Sequence, residues 1–359
     1  MAGIDSHLRC RPLLSLKDAH SHYSCAPCYD WLMLHITNGD SIAGSLMNSA
    51  LPGRKLAFRE DLTSGPTPSG LSPADWLRLR ADFLDPGDHN CLQGLAEQQA
   101  AIESGPRDEE TVLWFGHDLN CQIHLIYVLT LQASAQSRPH PLCLVCIGEF
   151  PGINPFICLG QLTPDNLESL FHGRQHVSGP ELELAARAWS AYCSTDPTHV
   201  EALLDRDTAA LPFLAASLRL HLRRFPSRRN GLGLIENWAL RQLSAGFERF
   251  ALLFARFTAE HPRHGLGDSQ FWEMLERMSQ CTEPLIRITG VTPGATFDSI
   301  DKGKAGIEIT PAGRQVLEAR KDFIKLNGID LWLGGVHLQA GLNDWRLDDE
   351  TGRLVQLAA

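Results

Sequence analysis

Polar residues follow a short apolar segment near residue 35, and they are the first group with side chains able to do chemistry. Gly39, Asp40 and Ser41 come directly after Leu32–Thr37, where a strand pattern gives way to a helix pattern. Ligands of parallel sheets bind beyond the carboxyl ends of the strands, and the free N–H groups at a helix start favour an anion. Gly39 permits the turn, while Asp40 or Ser41 could either cap the helix or contact a ligand. The pattern therefore predicts either a ligand site or a plain helix start.

A second group occupies the equivalent position after another apolar segment. His117, Asp118 and Gln122 follow Thr111–Phe115 and begin the next helix pattern. A neutral histidine beside an aspartate can act as a general base, although capping alone would explain an aspartate at this point. Because neighbouring parallel strands end at one edge of a sheet, we expect His117 and Asp118 to lie close to Asp40, with Gln122 one helical turn below.

Arg59 opens a third polar group, which follows the strand pattern of Lys55–Phe58. It begins the run Arg59-Glu60-Asp61, ahead of a loop rich in glycine and proline. A guanidinium can hold a carboxylate or a phosphate through two parallel hydrogen bonds. The run therefore indicates either an anion-binding arginine or a solvated charge cluster that opens a loop.

The overall composition predicts a globular chain and argues against several classes of protein. Of 359 residues, 43% are hydrophobic and 21% are charged, as in proteins with a sizeable core, and the length indicates two or three domains. The formal net charge of -10 disfavours a general nucleic-acid binder. No apolar run is long enough for a membrane span. Ten cysteines, mostly inside apolar runs, favour reduced thiols and the cytoplasm.

Residues 1–32 lack the hydrophobic periodicity of the rest of the chain, and we predict that they form a non-core N-terminal extension. Cys25 and Cys28, together with His20 and His22, are residue types that bind zinc. A structural zinc site usually has two well-spaced ligand pairs inside a segment that folds, and this segment shows no such pattern. We therefore predict no metal site, and the sequence leaves the cofactor unknown.

The order of patterns along the chain predicts three folded parts. Residues 33–160 alternate strands with helices, which predicts an α/β domain with a mostly parallel sheet flanked by helices. Residues 161–230 have helical patterns throughout. Residues 231–359 show three helices, two strands and a helix from Thr310 to about Lys325, which is the order of elements in a winged helix.

The charge of this winged-helix-like C-terminal unit argues against DNA as its partner. Residues 231–359 contain 14 Lys+Arg and 17 Asp+Glu, a net charge of -3. In the third predicted helix, Glu273 and Glu276 flank an apolar stripe that includes Phe271 and Trp272. Carboxylates that face phosphates are repelled, so a protein partner is favoured over DNA.

Nine motifs, spread over residues 33–346, are specific enough to compare with known families. They are Leu34 to Ser41, Asp61 to Pro66, Leu113 to Gln122, Gly160 to Leu162, Phe225 to Ser227, Asn230 to Leu232, Leu266 to Trp272, Thr310 to Leu317 and Leu326 to Leu338. Together they resemble the bacterial domain-of-unknown-function family 1835, in its N-terminal domain and its usual C-terminal half. The resemblance implies a bacterial protein with this architecture and implies no reaction. Two positions depart from the family pattern: Cys121, where many members carry Asp, and Gly233, where many carry Ser.

From these features we expect a protein that binds a small polar or phosphorylated ligand through its α/β domain and relays binding to a protein partner through its C-terminal unit. The expected ligand-binding residues are Gly39, Ser41, Arg59 and Gln122. The alternative is a hydrolase or transferase that uses His117 as a base and Asp40 or Asp118 to orient it. A second alternative is a DNA-binding transcription regulator. The sequence leaves open whether the chain is an enzyme.

Deletion of residues 1–32 should leave the melting temperature nearly unchanged, because this segment has no core pattern. The measurement is thermal unfolding of the full chain and of a chain that begins at Met33. A fall of more than about 5 °C, which corresponds to 1 kcal/mol or more for a chain of this size, would show that the segment belongs to the fold.

Overall fold

The computed structural model describes residues 33–103, 110–134, 141–292 and 296–357. The predicted extension and its four candidate zinc ligands lie outside these residues. The strands are β1 (Met33–Asn38), β2 (Arg54–Phe58), β3 (Glu110–Trp114), β4 (Leu142–Val145), β5 (Gln175–His176), β6 (Ile286–Thr289), β7 (Gly306–Ile309), β8 (Asp330–Leu333), β9 (Val336–Gln339), β10 (Trp345–Leu347) and β11 (Leu354–Gln356). The helices are α1 (Asp40–Met47), α2 (Pro73–Leu84), α3 (His89–Glu103), α4 (Leu119–Ser134), α5 (Pro164–Phe171), α6 (Gly179–Tyr192), α7 (Thr198–Leu204), α8 (Leu214–Leu222), α9 (Leu234–Ser244), α10 (Phe250–Glu260), α11 (Asp268–Ser279), α12 (Pro311–Leu317) and α13 (Phe323–Asn327). In the ranges that the structure covers, no helix combines the length and the apolar character that a bilayer crossing requires.

The main sheet has the strand order β2-β1-β3-β4-β5, and its first four strands are parallel. The predicted α/β fold with a mostly parallel sheet and flanking helices is therefore confirmed. From β1 the chain passes to β2 on one side and then returns to β3 on the other side of β1. The loops after β1 and β3 thus diverge at a topological switch point, where open parallel sheets bind ligands. The antiparallel edge strand β5 was not predicted, because it has two exposed residues and no apolar pattern.

Alternate residues of the central strands serve the cores on the two faces of the sheet. Ile36 and Leu113 belong to a core that also takes in residues of α4, α6 and α8. Val112 and Trp114 point to the opposite face and pack with residues of α1 and α5. This period of two is the expected geometry of a strand buried on both faces. The helices of residues 161–230 therefore cover the sheet directly, while the domain boundaries stated above stay predictions.

Residues 232–326 surround a separate core. It is built from α9, α10 and α11, the antiparallel pair β6–β7, and the short helices α12 and α13. The predicted apolar stripe of α11 is buried here, with Phe271, Trp272, Leu275 and Met278 all less than 3% exposed. Tertiary burial of that one face makes α11 a stable helix.

The helix predicted from Thr310 to about Lys325 is wrong, because the chain breaks it into α12 and α13. Ala319 has a left-handed backbone with φ 58°. The N–H groups of Arg320 and Lys321 turn back to the carbonyl of Gln315, at 2.8 and 3.2 Å, and so close the end of α12. Asp322 then caps α13 with its side chain. The sequence offers neither glycine nor proline at the break, so local patterns did not indicate it.

The C-terminal residues return to the first core as a hairpin that was also not predicted. Leu333, Val336 and Leu338 of β8 and β9 are buried in the core of the sheet and its helices. The turn of this hairpin lies against the end of α6, where the N–H of Gly335 donates to the carbonyl of Tyr192 at 2.9 Å. A side chain at Gly335 would overlap the carbonyl oxygen of Cys193. The absence of a side chain here allows the two backbones to meet.

Gly335→Ala should therefore destabilise the fold by roughly 1–3 kcal/mol, since the added methyl group forces two packed backbones apart. The measurement is the free energy of urea unfolding. Gly179→Ala is the matched control, because a Cβ at Gly179 would have no neighbour within 4 Å. An equal effect of the two substitutions would contradict the close approach at Gly335.

Candidate functional site

The turn between β1 and α1 leaves the start of α1 without a side-chain cap. Gly39 occupies the cap position with φ 85°, a left-handed conformation that favours glycine. Its N–H donates to the carbonyls of Thr37 and Phe58, each at 3.1 Å, which fixes the turn to both strands. The N–H groups of the first turn of α1 receive no side-chain cap and lie at the switch point of the sheet. Gly39 thus has the turn role that the sequence predicted.

The structure brings Asp40 and Arg59 together on the surface. The Nε and Nη2 groups of Arg59 donate to the carboxylate of Asp40, with a shortest distance of 2.6 Å. The two side chains are 34% and 60% exposed, so this ion pair adds little to stability. Asp40 therefore lies beside Arg59 at the outer edge of the turn, and the two charges largely neutralise each other.

Ser41 is exposed and lies beneath a short 3₁₀ turn formed by Leu159–Gln161. A Cβ at Gly160 would lie 2.9 Å from the Ser41 hydroxyl and 3.5 Å from the sulfur of Cys158. The hydroxyl of Ser41, the thiol of Cys158 and the start of α1 therefore share one corner of the sheet edge.

His117 is buried between two aromatic rings. Its imidazole stacks on Phe156 and meets Phe213 edge to face, both with ring centroids 5.9 Å away. Its Nδ1 is buried and has no hydrogen-bond partner among the residues that the structure describes. Burial lowers the pKa of His117, although the neighbouring Asp118 opposes this effect, so the surroundings favour the neutral ring.

Asp118 caps α4, and its carboxylate is covered by a residue of the C-terminal unit. Its Oδ1 accepts the N–H of Cys121 at 2.9 Å, and burial raises the pKa of the carboxyl group. A side chain at Gly265 would overlap this carboxylate, so the backbone after α10 packs directly on it. Gln122, one turn along, donates to the carbonyl of Gly116 at 2.7 Å and supports the turn before the helix.

The predicted catalytic residues do not form a hydrogen-bonded set. Asp40 pairs with Arg59, Asp118 caps its own helix, and the ring of His117 contacts aromatic side chains. Within the described ranges, no hydrogen bond joins any two of the three. The turns after β1 and β3 lie at the same edge because these strands are parallel neighbours, whereas acid–base contact among the three side chains is not present in the described residues.

A polar network that the sequence analysis missed lies just behind this edge. His124 contacts the Asn38 oxygen through Nδ1 at 2.6 Å and accepts the N–H of Leu62 at Nε2, at 3.1 Å. Asn38 in turn donates to Asn120 and to the sulfur of Cys121. In the sequence, Asn38 directly follows the apolar segment of β1, and this polar residue at a strand end was the signal that could have indicated the network. The network ties the turns after β1, β2 and β3 to one another.

The loop after β2 is ordered by a buried arginine that the sequence analysis also missed. Arg80 is fully buried and pairs with Glu60 at 2.8 Å. Its guanidinium also donates to the carbonyls of Asp61, Ser64 and Pro66, at 2.6, 2.9 and 3.1 Å. The charged run after β2 is therefore a folded feature of the interior, and the predicted solvated cluster is wrong for Glu60 and Asp61.

The C-terminal unit and the segment that precedes it contact this loop as well. Gln270, in α11, donates to the carboxylate of Asp61 in a short hydrogen bond. Arg224, just after α8, donates to the carbonyl of Thr63 at 2.8 Å. Together with Gly265 on Asp118, these contacts connect residues 224–270 to two of the three loops at the sheet edge.

Two comparisons with known proteins, one with family models and one with curated proteins, give no match. No protein-family model matches the chain, and no curated protein matches it significantly. The resemblance to family 1835 therefore stays a prediction. In the residues for which side chains are placed, no group of three or more His, Cys, Asp or Glu is arranged to hold a metal ion.

Besides His117, four further histidines among the described residues are buried, and burial favours their neutral form. Burial lowers the pKa of His35 and of His264 to about 4, that of His221 to about 3, and it also lowers the pKa of His124. The neutral His35 accepts a hydrogen bond from Trp114 at 3.0 Å, which a protonated ring could not do. The unfolded chain binds these protons near pH 6.5, so it gains protons before the folded chain does.

The free energy of unfolding should therefore fall as the pH drops from 7.5 to 5, by about 2 kcal/mol for each fully buried histidine at the lower pH. Urea unfolding at both pH values measures it. His221→Phe should reduce this fall by the share of one histidine, because Nδ1 of His221 has no partner among the described residues and the ring packs on Tyr192 and Phe225. A pH-independent stability over this range would overturn the assignment.

Proposed function

We propose that the chain binds a small polar or phosphorylated ligand at the sheet edge between β1 and β3, and that its C-terminal unit passes this binding to a partner protein. The observation that carries the proposal is the start of α1, which has no side-chain cap and lies at the switch point of a parallel sheet. Uncapped N–H groups and the helix dipole attract an anion at this position.

The side chains around the start of α1 suit an anionic ligand. The exposed hydroxyl of Ser41 can donate a hydrogen bond, and Gly39 lets a ligand approach the backbone. The carboxylate of Asp40 would repel an anion if it stood alone, but its bidentate contact with Arg59 offsets that charge. Of the predicted binding residues, Gln122 serves the turn of β3 and is not part of the proposal.

Binding is favoured over the hydrolase or transferase alternative by the surroundings of His117 and Asp118. A general base must reach the proton that it removes, whereas His117 is enclosed by Phe156 and Phe213. Asp118 is already used as a helix cap beneath Gly265. Both side chains therefore have structural partners that account for their positions.

The relay to a partner is supported by the contacts of the C-terminal unit. Gly265 packs on the loop after β3, and Gln270 binds the loop after β2. A ligand that shifts either loop thus acts directly on α11 and its neighbours. We propose that this unit is a winged helix that binds protein and not DNA. Gln270 and Arg277 of its third helix already contact Asp61 and Glu236 of the same chain, so they are not free to bind phosphates. Membership of family 1835, a bacterial source and a cytoplasmic location are parts of the same proposal.

Thermal unfolding of the full chain with inorganic phosphate, pyrophosphate, ATP or ribose 5-phosphate tests the site. At least one probe should raise Tm by about 2–4 °C at saturation. Ser41→Glu should abolish this rise, because it places a carboxylate beside the uncapped N–H groups. Met47→Glu adds the same charge at the far end of α1, where Met47 is 67% exposed, and should leave the rise unchanged.

Two outcomes would contradict the proposal. One is that none of the four probes changes Tm. The other is that Ser41→Glu and Met47→Glu respond alike, which would place any binding elsewhere. Release of phosphate from a probe, lost in His117→Ala, would support the enzyme alternative instead.

A further inference from the structure

Two segments without acidic residues meet in the fold of a chain whose net charge is -10. Residues 208–235 contain five arginines and no Asp or Glu, and residues 261–267 contain a sixth arginine and again no acid. All 42 acidic residues therefore belong to the rest of the chain, which has 26 Lys and Arg and a net charge of -16. The two segments are in contact, because α8 packs against the 3₁₀ turn Pro262–His264. The fold thus gathers positive charge into one place on an acidic molecule.

Three exposed arginines, Arg219, Arg223 and Arg263, form what we call the basic surface. Arg219 and Arg223 are four residues apart at the end of α8, so they share one face of the helix, about 6 Å apart along its axis. Arg263 lies in the 3₁₀ turn that packs on α8. All three are exposed, and among the described residues no carboxylate forms an ion pair with any of them. Their charges are therefore available to a partner.

The acidic residues that flank the two segments have other partners. Asp207 accepts the backbone N–H of Ala209 at 2.9 Å. The other three form ion pairs with basic residues outside the basic surface, namely Glu236 with Arg277, Glu260 with Arg256, and Asp268 with Lys302. In the described ranges these carboxylates thus make no direct contact that would neutralise the basic surface.

The basic surface adjoins the contacts that connect the C-terminal unit to the sheet edge. Arg224 follows the second of the three arginines and donates to the carbonyl of Thr63, in the loop after β2. Gly265 lies two residues after the third and packs on the carboxylate of Asp118, in the loop after β3. A ligand that shifts either loop therefore acts on the backbone that carries these arginines.

We propose that the partner protein docks on the basic surface through a short acidic segment. Carboxylates bind guanidinium groups through charge-assisted hydrogen bonds, which are often bidentate. A nucleic acid fits less well, because a duplex carries one charge per ~1.7 Å of its axis and would extend from this small surface over a remainder with a net charge of -16. A short acidic segment ends before it meets that repulsion. That this partner receives the signal of the sheet-edge ligand rests on the function proposed above.

Fluorescence anisotropy with a labelled oligoglutamate peptide tests the basic surface on the full chain, at pH 7.5 and about 50 mM salt, where charges are only partly screened. The peptide should bind with a Kd below about 1 mM, whereas oligoglutamine should not bind. Arg219→Glu and, separately, Arg263→Glu should each weaken the binding roughly fivefold or more, because each replaces an attraction by a repulsion.

Arg241→Glu is the matched control and should leave the affinity nearly unchanged. Arg241, like Arg219, is an exposed arginine in the last turn of its helix, has no carboxylate partner among the described residues, and lies outside both segments. The two substitutions therefore change the net charge and the helix end in the same way.

Failure of oligoglutamate to bind at about 1 mM, or equal affinities of Arg219→Glu and Arg241→Glu, would overturn the basic surface, whatever the phosphorylated probes do to Tm. A DNA duplex of equal charge that binds more tightly than the peptide, and loses its affinity in Arg219→Glu, would assign the surface to nucleic acid instead. If the peptide binds but no phosphorylated probe raises Tm, the basic surface is supported and the proposed function fails. If a probe raises Tm without changing the affinity for the peptide, the relay to this surface is contradicted.

Discussion

The buried guanidinium of Arg80 is the interaction on which the rest of the molecule depends. It has no exposure to solvent and gathers the carboxylate of Glu60 with three carbonyl groups of residues 61–66. A buried charge is stable only when such partners surround it, and removing one partner of a buried pair costs about 3–5 kcal/mol. Arg80 therefore forces a long glycine- and proline-containing loop into a single conformation in the interior.

Four distant parts of the chain then form hydrogen bonds with that loop. Tyr192, at the end of α6, donates to the carbonyl of Leu62, and Arg224 donates to that of Thr63. The turn of the C-terminal hairpin accepts the N–H of Thr67, and Gln270 of α11 binds Asp61. The loop after β2 thus connects the sheet to its covering helices and to the C-terminal unit. Its hydrogen bonds give the sheet edge a fixed relation to residues more than 200 positions away.

The features that the sequence predicted are those set by neighbouring residues. Strand β1, the turn at Gly39 and the cap at Asp118 follow from apolar period, glycine and helix-start signals. The sequence could not predict which residues of the run Arg59 to Asp61 are buried. Arg59 turns outward to Asp40, while Asp61 turns inward to Gln270, 209 residues away. Likewise Arg80, in a helix of mixed polarity, looks like an ordinary surface arginine until its partners are known. Whether these charged side chains are buried depends on partners that are distant in the sequence, and no local sequence pattern identifies those partners.

The return of the C-terminal hairpin to the first core has a consequence for how the protein is made. Residues 232–326 form their own core, yet the first core is complete only when Leu333, Val336 and Leu338 have arrived. During synthesis on the ribosome, the first core stays partly exposed to solvent while about a hundred further residues are made, at roughly 5–20 residues per second. A transcript that ends before Leu333 yields a chain with one wall of its first core missing. Such a product exposes apolar surface to chaperones and proteases.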